Sequence, residues 1–295
     1  MSVEELQECP ACAGTIFTPY ITCEDQLVSH KQFAIQQCTA CQLLFTNPRP
    51  SAETVGDYYQ SDTYISHDDT RTGLIDTVYR TVRGYTLSQK EKLVRSLNGG
   101  VGALLDYGCG TGTFLEQCQT KGWAITGFEP DDDARKRATE RTQTPILKDV
   151  NDIRTQPAVD VITLWHVLEH VSDLHDTVAV LVNSLKSGGH LVIAVPNAAS
   201  KDAALYGPNW AAFDVPRHLY HFTPTVLTEL IKTFGLKLEK QLPMRFDAYY
   251  IAILSTRHRD GKTNYAEAML NGLRSNQAAA TTGNYSSLTY VFRKP

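Results

Sequence analysis

The chain has 295 residues, of which 42% are hydrophobic and 20% charged, and its formal net charge is −4. These values are typical of a globular protein that buries a substantial core. The acidic balance argues against general attraction to phosphate backbones or anionic lipids. The N-terminal residues lack the pattern of a secretory signal, and no apolar run approaches the roughly 20 residues that span a bilayer. We therefore expect a cytoplasmic protein without a membrane partner.

Two CxxC pairs dominate the first fifty residues: Cys9-Pro-Ala-Cys12 and Cys38-Thr-Ala-Cys41. Each pair presents two thiolates to one ion, and two pairs complete a tetrahedral Cys₄ site. A redox dithiol would need only one pair. Residues 1–50 are therefore predicted to form a small zinc ribbon that binds structural zinc, which would supply folding energy that so small a segment lacks. Cys23 lies outside the pattern and is expected to be buried.

The zinc module contains two basic and five acidic residues, a balance unlike that of a phosphate-binding module. Residues 51–100 are expected to form a linker followed by a capping helix over about 72–97, which ends at Asn98-Gly99-Gly100. Tyr58, Tyr59, Tyr64 and Arg83 either line a cofactor pocket from above or belong to a cap with a solvated face.

Residues 101–295 open with a strand, a glycine loop and a helix. The strand Val101–Asp106 leads into Gly108, Gly110 and Gly112. Glycines let the backbone pass close to a ligand, and the following helix offers free N–H groups. The next strand ends at Glu129, where an acid is placed to accept hydrogen bonds from ribose hydroxyls.

The loop differs from a dinucleotide site, since it reads GxGxG where the pyrophosphate-binding version reads GxGxxG. The preceding Asp106 is a second difference. A carboxylate there would repel pyrophosphate but help to hold a cationic amino-acid group, directly or through water.

Three segments resemble the motifs of class I S-adenosylmethionine-dependent methyltransferases, in the family's order and spacing. They are Leu105–Gly112, Asp160–Val171 and Leu185–Asn197. The VLEHV stretch is especially similar to small-molecule methyltransferases of the ubiquinone-biosynthesis type. The preceding Cys₄ module resembles zinc-bearing relatives that act on sugars and natural products.

The resemblance implies an α/β fold, a Rossmann-like sheet of seven strands with one antiparallel, and helices on both faces. It implies that the three loop glycines lie at the cofactor and that Glu129 holds its ribose; Asp106 joins them as a predicted cofactor-binding residue because of its charge. Asp149 corresponds to the residue beside adenine. Leu164, Trp165 and His166 end the fourth strand next to the methionine part. Tyr249–Ser255 and Ser287–Phe292 are predicted to be the last two strands.

His166-Val-Leu-Glu169-His170 also matches HxxEH, the inverted zinc-protease motif. Its position, where the family's fourth strand meets a helix, disfavours a peptidase. Some ubiquinone-type relatives carry a Glu where His166 stands and use a divalent ion. The alternative is that Glu169 and His170 hydrogen-bond neighbouring backbone, and the sequence leaves both open.

His218 and His221 lie between the fifth strand and a helix that begins after Thr223 with Pro224. This places them at the carboxyl edge of the sheet, where open α/β sheets bind ligands. They are the predicted catalytic bases, since a histidine near neutral pKa can remove a proton from the nucleophile. The alternative is that they brace the loop.

The predicted function is methyl transfer from S-adenosylmethionine to a small-molecule acceptor, with no nucleic-acid partner. Two other functions stay open: a zinc-ribbon RNA base methyltransferase, and a non-catalytic protein that binds the cofactor. The acidic module argues against the first, and the intact glycine loop with Glu129 argues against the second.

Overall fold

The computed structural model describes residues 3–59 and 74–295, with side chains of the first long helix described from Gly84 onward. Its strands are β1 Val3–Glu4, β2 Phe17–Glu24, β3 Gln32–Cys38, β4 Leu44–Thr46, β5 Arg49–Pro50, β6 Ala103–Tyr107, β7 Ala124–Phe128, β8 Val159–Trp165, β9 Leu185–Pro196, β10 Tyr220–His221, β11 Lys237–Pro243 and β12 Ser287–Arg293. Its α-helices are α1 Leu74–Asn98, α2 Thr113–Thr120, α3 Asp132–Thr142, α4 Val150–Arg154, α5 Leu174–Asn183, α6 Lys201–Tyr206, α7 Pro224–Thr233, α8 Asp247–Asp260 and α9 Tyr265–Thr282.

A six-stranded sheet forms the centre of the larger part of the chain, in the order β11-β12-β9-β8-β6-β7. Strands β7, β6, β8 and β9 are parallel, and β12 is antiparallel to both of its neighbours. The resemblance implies a seventh strand. Beyond β7, the described residues contribute only a single parallel bridge between Phe128 and Leu147.

Helices cover both faces of this sheet because successive strand residues point to opposite sides. In β8, Val161 packs with Val94 of α1, whereas Ile162 and Leu164 belong to the cluster on the other face with residues of α5 and α7. Helix α1 thus packs on one face of the sheet. Among the described residues, no helix combines the length and the apolar character needed to cross a membrane.

The prediction of a strand over Tyr249–Ser255 is wrong, because this segment lies inside helix α8. The run is rich in aromatic and branched residues, which favour strands when read locally. Its buried residues, however, recur at helical spacing: Ala248, Ile251, Ala252 and Ser255. The edge strand that pairs with β12 is instead the polar and mostly exposed β11.

The cysteine module (residues 1–50) does not form its sheet alone. Strands β2, β3 and β4 pair in antiparallel order, and β10, which lies some 170 residues later in the chain, adds to β4. Tyr220 pairs with Phe45, and His221 pairs with Leu44. The segment that follows β9 is therefore fixed to the cysteine module by backbone hydrogen bonds.

Candidate functional site

The glycine loop lies at the carboxyl end of β6, and all three of its motif glycines have positive φ. A Cβ on Gly108 would lie 2.6 Å from a Val167 methyl, and one on Gly112 would lie 2.9 Å from Ala138 Cα. A Cβ on Gly110 would meet nothing within 4 Å. The outer two glycines are thus required by close packing, whereas the middle one borders open space at the N-terminus of α2.

Glu129 follows β7, as the sequence predicts, and its side chain closes the glycine loop. Oε2 accepts a hydrogen bond from the Gly110 amide at 2.8 Å, and Oε1 accepts one from Asp131 at 3.1 Å. The carboxylate is mostly buried, and this burial raises its pKa. Glu129 and the loop therefore form one hydrogen-bonded unit at the carboxyl edge of the sheet.

Asp106 is buried at the end of β6 and accepts a hydrogen bond from Thr163 Oγ1 at 2.6 Å. Burial raises its pKa to about 7, and the nearby charge of Glu129 acts in the same direction. Such a carboxyl group gains from a cationic partner, because a second charge of opposite sign favours its ionised form. This property suits the amino group of an amino-acid ligand.

Lys90 on α1 is the residue that the sequence patterns did not single out. Its Nζ lies 4.2 Å from the centroid of the Trp165 ring at the end of β8. Burial lowers its pKa, and the charges of Asp106 and Asp247 oppose this effect. The partly buried ammonium interacts with the charge of the buried Asp106 carboxyl, so groups of both signs lie at this end of the sheet. No motif marks Lys90, because only the packing of α1 over the sheet brings it here.

Two other predicted cofactor residues have clear structural roles. Asp149 caps the N-terminus of α4, since its Oδ1 accepts a hydrogen bond from the Asn151 amide at 2.8 Å. Its side chain is exposed, two residues after Leu147, which forms the bridge with Phe128. Leu164 is fully buried in the core cluster. Its side chain therefore faces the core, and only its backbone is left for a ligand.

His166 follows β8 directly and adopts a left-handed conformation with φ 58°. Its Nε2 lies 3.2 Å from Asp247 Oδ2, and its Nδ1 lies 3.4 Å from Glu169 Oε1. Burial lowers the pKa of the imidazole, but the two carboxylates outweigh burial and raise it to about 9. His166 thus holds a positive charge between two acids at neutral pH.

The HxxEH segment does not form the helix that an inverted zinc-protease site needs. Its strand ends at Trp165, and only Leu168–His170 forms a 3-10 turn. Glu169, His170 and His218 direct atoms to within 4.8 Å of one another. Neither oxygen of Glu169 accepts a hydrogen bond from the described residues, but the His166 imidazolium supplies its countercharge. A cation already balances this group, so its charge does not fit a divalent ion.

His218 and His221 are both buried. His218 Nδ1 is bonded to the Ala212 carbonyl at 2.9 Å, and His221 Nε2 lies 3.1 Å from Thr46 Oγ1 in the cysteine module. Burial and the neighbouring His218 hold the pKa of His221 well below its usual value. These partners favour the bracing alternative, and the base role of the two histidines stays a prediction.

The tyrosines of the linker also have partners. Tyr58 is buried with its ring edge-on to Phe33 at 5.8 Å, and the Tyr59 hydroxyl lies 2.9 Å from His170 Nδ1. Tyr64 and the side chain of Arg83 lie outside the described residues. The two described tyrosines therefore pack the linker against the module and the 168–170 turn.

Four cysteines come together in the cysteine module, as their spacing predicts. Cys9 Sγ lies 3.5 Å from Cys41 Sγ, and Cys12 Sγ lies 3.6 Å from Cys38 Sγ. All four sulfurs lie within 4.8 Å of one another. The two turns have the same geometry. The Ala13 amide donates to the Cys9 carbonyl and the Gln42 amide donates to the Cys38 carbonyl, and both donors have positive φ. Cys23 is separate and buried, as expected.

A buried ion cluster connects the cysteine module to the segment before β10. Arg217 Nη1 donates to Asp25 Oδ1 at 2.9 Å, and Nη2 donates to Asp214 Oδ1 at 2.6 Å. Arg49 of the module donates to the Tyr220 hydroxyl at 3.0 Å. Both arginines are buried, so these contacts fix the loop before β10 on the module.

Residues 81–241 match the sequence model of the methyltransferase domain family. Among curated proteins, the chain is similar to the ubiquinone biosynthesis O-methyltransferase of Saccharophagus degradans, with 25% identity over 159 residues, which cover 49% of this chain and 67% of that protein. The same enzyme of Rhodopseudomonas palustris is 26% identical over 156 residues, with 49% and 62% covered.

Among solved structures, the fold is similar to that of magnesium protoporphyrin IX methyltransferase from Synechocystis PCC 6803 with bound SAH. The TM-score is 0.55 at 11% identity, and the match covers 83% of this chain and all of the other. At this identity the likeness concerns the fold. The match of the family model spans more than half of the chain and contains the glycine loop, Glu129 and His166. The chain therefore belongs to the methyltransferase domain family and is an S-adenosylmethionine-dependent methyltransferase of class I fold.

Proposed function

We propose that the protein transfers a methyl group from S-adenosylmethionine to a small-molecule acceptor. The observation that carries this proposal is the cluster at the carboxyl end of β6, where the glycine loop and Glu129 lie beside the buried Asp106, whose charge interacts with that of Lys90. The curated relatives are named for methylation of a small molecule, which supports the same class of acceptor.

The residues present fit the cofactor. Open space beside Gly110 admits a ligand against the backbone, and Glu129 lies where ribose hydroxyls would donate to it. Asp106 would face the amino group of the methionine part, and Lys90 its carboxylate, which pairs each charge with its opposite. Asp149, Leu164 and His166 would border the adenine and methionine ends. When bound, S-adenosylmethionine supplies an electrophilic methyl group.

The protein's own contribution to the reaction is positioning. A methyl sulfonium needs little activation, so the residues must hold the acceptor in line with the carbon–sulfur bond and exclude water. Trp210 and Phe213, in the short turns between α6 and β10, are buried and pack edge-on at 4.9 Å. Phe213 also meets His221 of β10 edge-on at 5.3 Å, and we propose that this segment forms one wall of the acceptor site.

We also propose that the four cysteines hold one structural zinc ion. A tetrahedron with zinc–sulfur bonds of about 2.3 Å has sulfur–sulfur edges of about 3.8 Å. The closest pairs, at 3.5 and 3.6 Å, approach these edges. They are far longer than a disulfide bond of about 2.0 Å. The ion would fix the two cysteine turns and, through β4 and β10, the segment that contains His218 and His221.

Calorimetry with S-adenosylmethionine, its demethylated product and NADH tests the cofactor. We expect S-adenosylmethionine and its demethylated product to bind. NADH should not bind, because the GxGxG loop and Asp106 disfavour a pyrophosphate. Glu129→Ala should weaken binding by about 1.5–3 kcal/mol, the range for a hydrogen bond to a charged group. Binding of NADH alone would overturn the proposal.

Metal analysis of the purified protein tests the zinc site, for which we expect about one zinc ion per chain. Cys12→Ser should abolish binding, whereas Cys23→Ser, a matched change outside the cluster, should leave it intact. Metal-free protein with an ordered module would contradict the proposal.

Generic RNA should not bind at physiological salt, and tight salt-sensitive binding would favour the RNA methyltransferase alternative.

A further inference from the structure

We propose that Asp247 receives the proton that the methyl acceptor loses, with His166 as the residue that positions it. This inference rests on the proposed function and identifies the acceptor side of the same site. Neither residue belongs to the glycine loop. Asp247 is the first residue of α8, which lies between β11 and β12 in the chain.

The position of His166 relative to the cofactor pocket is fixed by the backbone. The His166 amide donates to the Ala194 carbonyl at 2.9 Å, which continues the pairing of β8 with β9. The next residue, Val167, packs so closely on Gly108 that no Cβ would fit there. A left-handed backbone at a non-glycine residue is uncommon and is concentrated at functional sites. His166 therefore follows the strand end directly beside the glycine loop, where the proposed function puts the methionine part of the cofactor.

The Asp247–His166 pair is accessible, unlike the histidines predicted as bases. The side chains of His166 and Asp247 are 34% and 25% exposed, whereas Glu169 is 1% exposed. Asp247 Oδ2 faces His166 Nε2, and Oδ1 makes no hydrogen bond among the described residues. His218 and His221 are buried and bonded to the loop or the module. A ligand beside the glycine loop can thus reach a carboxylate oxygen of Asp247 that no described residue occupies.

The surroundings of Asp247 indicate what approaches it. Phe246, which precedes α8, and Tyr250 of α8 are about half exposed, and Tyr85 of α1 faces Phe246 edge-on at 6.4 Å. Two exposed aromatic residues therefore border Asp247 in the chain, and a third packs on one of them. The charged groups that face the pair are Glu169, on the inner side of His166, and Lys90, whose charge interacts with that of Asp247. An acceptor with an apolar body and an O–H or N–H donor fits this border.

The proposed step balances without a further reagent. The acceptor oxygen or nitrogen forms a bond to the methyl carbon as the carbon–sulfur bond breaks and leaves its electron pair on sulfur. The acceptor becomes strongly acidic as the new bond forms, so a carboxylate suffices to take its proton. That proton passes to Asp247 Oδ1 and then to solvent through the exposed side of the residue. His166 keeps Oδ2 oriented, and Glu169 keeps the imidazole in place.

Calorimetry with two cofactor analogues tests this assignment without a known acceptor. S-adenosylhomocysteine has a neutral sulfur and no transferable methyl group, whereas sinefungin carries a protonated amine where the methyl group would be. If Asp247 lies on the acceptor side, Asp247→Asn should weaken sinefungin roughly 10-fold or more and leave S-adenosylhomocysteine nearly unchanged. Asp260→Asn, at the other end of α8, is the matched control and should change neither.

The imidazole of His166 provides a second readout. Its NMR signal, assigned by comparison with His166→Gln, should titrate with a pKa near 9 in the free protein. S-adenosylmethionine should lower that pKa by about one unit or more relative to S-adenosylhomocysteine, since only the former brings a positive charge near the ring. His175 on α5, which is exposed, is the internal reference.

Each outcome has one meaning. Selective loss of affinity for sinefungin, together with a His166 pKa that depends on the charge of the cofactor, supports the assignment of Asp247 and His166 to the acceptor side. If both analogues bind the Asn variant as they bind the parent protein, or lose affinity equally, Asp247 is not at the acceptor side. An identical His166 pKa with both cofactor forms also overturns the inference. If the parent protein binds neither analogue, it is the proposed function that fails.

Discussion

Replacing Lys90 with methionine tests whether the cation on α1 holds the carboxylate of the cofactor. The Nζ lies 4.2 Å from the Trp165 ring centroid, where burial disfavours a charge that has no ligand to pair with. Methionine keeps most of the apolar stem and removes only the charge. We therefore expect the fold to persist and cofactor affinity to fall.

The magnitude follows from the type of contact that is lost. A hydrogen bond between a lysine and a carboxylate contributes about 1.5–3 kcal/mol, which corresponds to a Kd about 10- to 150-fold higher. Lys90 is only partly exposed and its Nζ packs on the Trp165 ring, so the loss should fall within this range. Lys92, exposed two residues along the same helix, provides a matched control, and Lys92→Met should leave the Kd unchanged.

Calorimetry with two ligands separates this role from a general effect on the pocket. S-adenosylhomocysteine has the carboxylate, and methylthioadenosine lacks the whole amino-acid part. Lys90→Met should weaken only the first. A change below threefold for S-adenosylhomocysteine, or an equal loss for both ligands, would show that Lys90 does not hold the carboxylate.

Three further predictions concern stability and the predicted bases. Arg217→Met leaves the buried carboxylate of Asp25 and the partly buried one of Asp214 without their cation, so thermal unfolding should show a loss of about 3–5 kcal/mol. Lys232→Met, in an exposed pair, should change stability by less than about 0.5 kcal/mol. Asp106 has a pKa raised to about 7, so the free energy of unfolding should fall as pH rises from about 4 to 7. Denaturant titrations at several pH values should show this fall, and Asp106→Asn should remove it. His218→Ala should lower the melting temperature and keep turnover per folded molecule, and a 10²–10⁴-fold loss of turnover with unchanged stability would instead identify it as the base.

The sequence by itself determined the parts of this protein that depend on local spacing. Each CxxC turn brings its own two thiols close together because it is built from neighbouring residues, whereas the contacts Cys9–Cys41 and Cys12–Cys38 join the two turns. The glycine loop and Glu129 follow from strands whose ends must lie at one edge of a parallel sheet. The helix Pro224–Thr233 begins where Thr223 and Pro224 predict, since capping is a local interaction.

Tertiary structure alone decided the contacts between distant segments. Lys90 reaches the Trp165 ring because α1 packs on the sheet. Asp247 begins a helix that follows β11 in the chain, and the fold brings it to His166 at the end of β8. The run Tyr249–Ser255 has the composition of a strand and forms a helix, because its buried face packs against α9 and the turns before β10. Likewise, β10 joins the sheet of the cysteine module, and His221 meets Thr46 across 175 residues of chain. Such pairings depend on which surfaces can bury one another, and no local pattern in the chain encodes them.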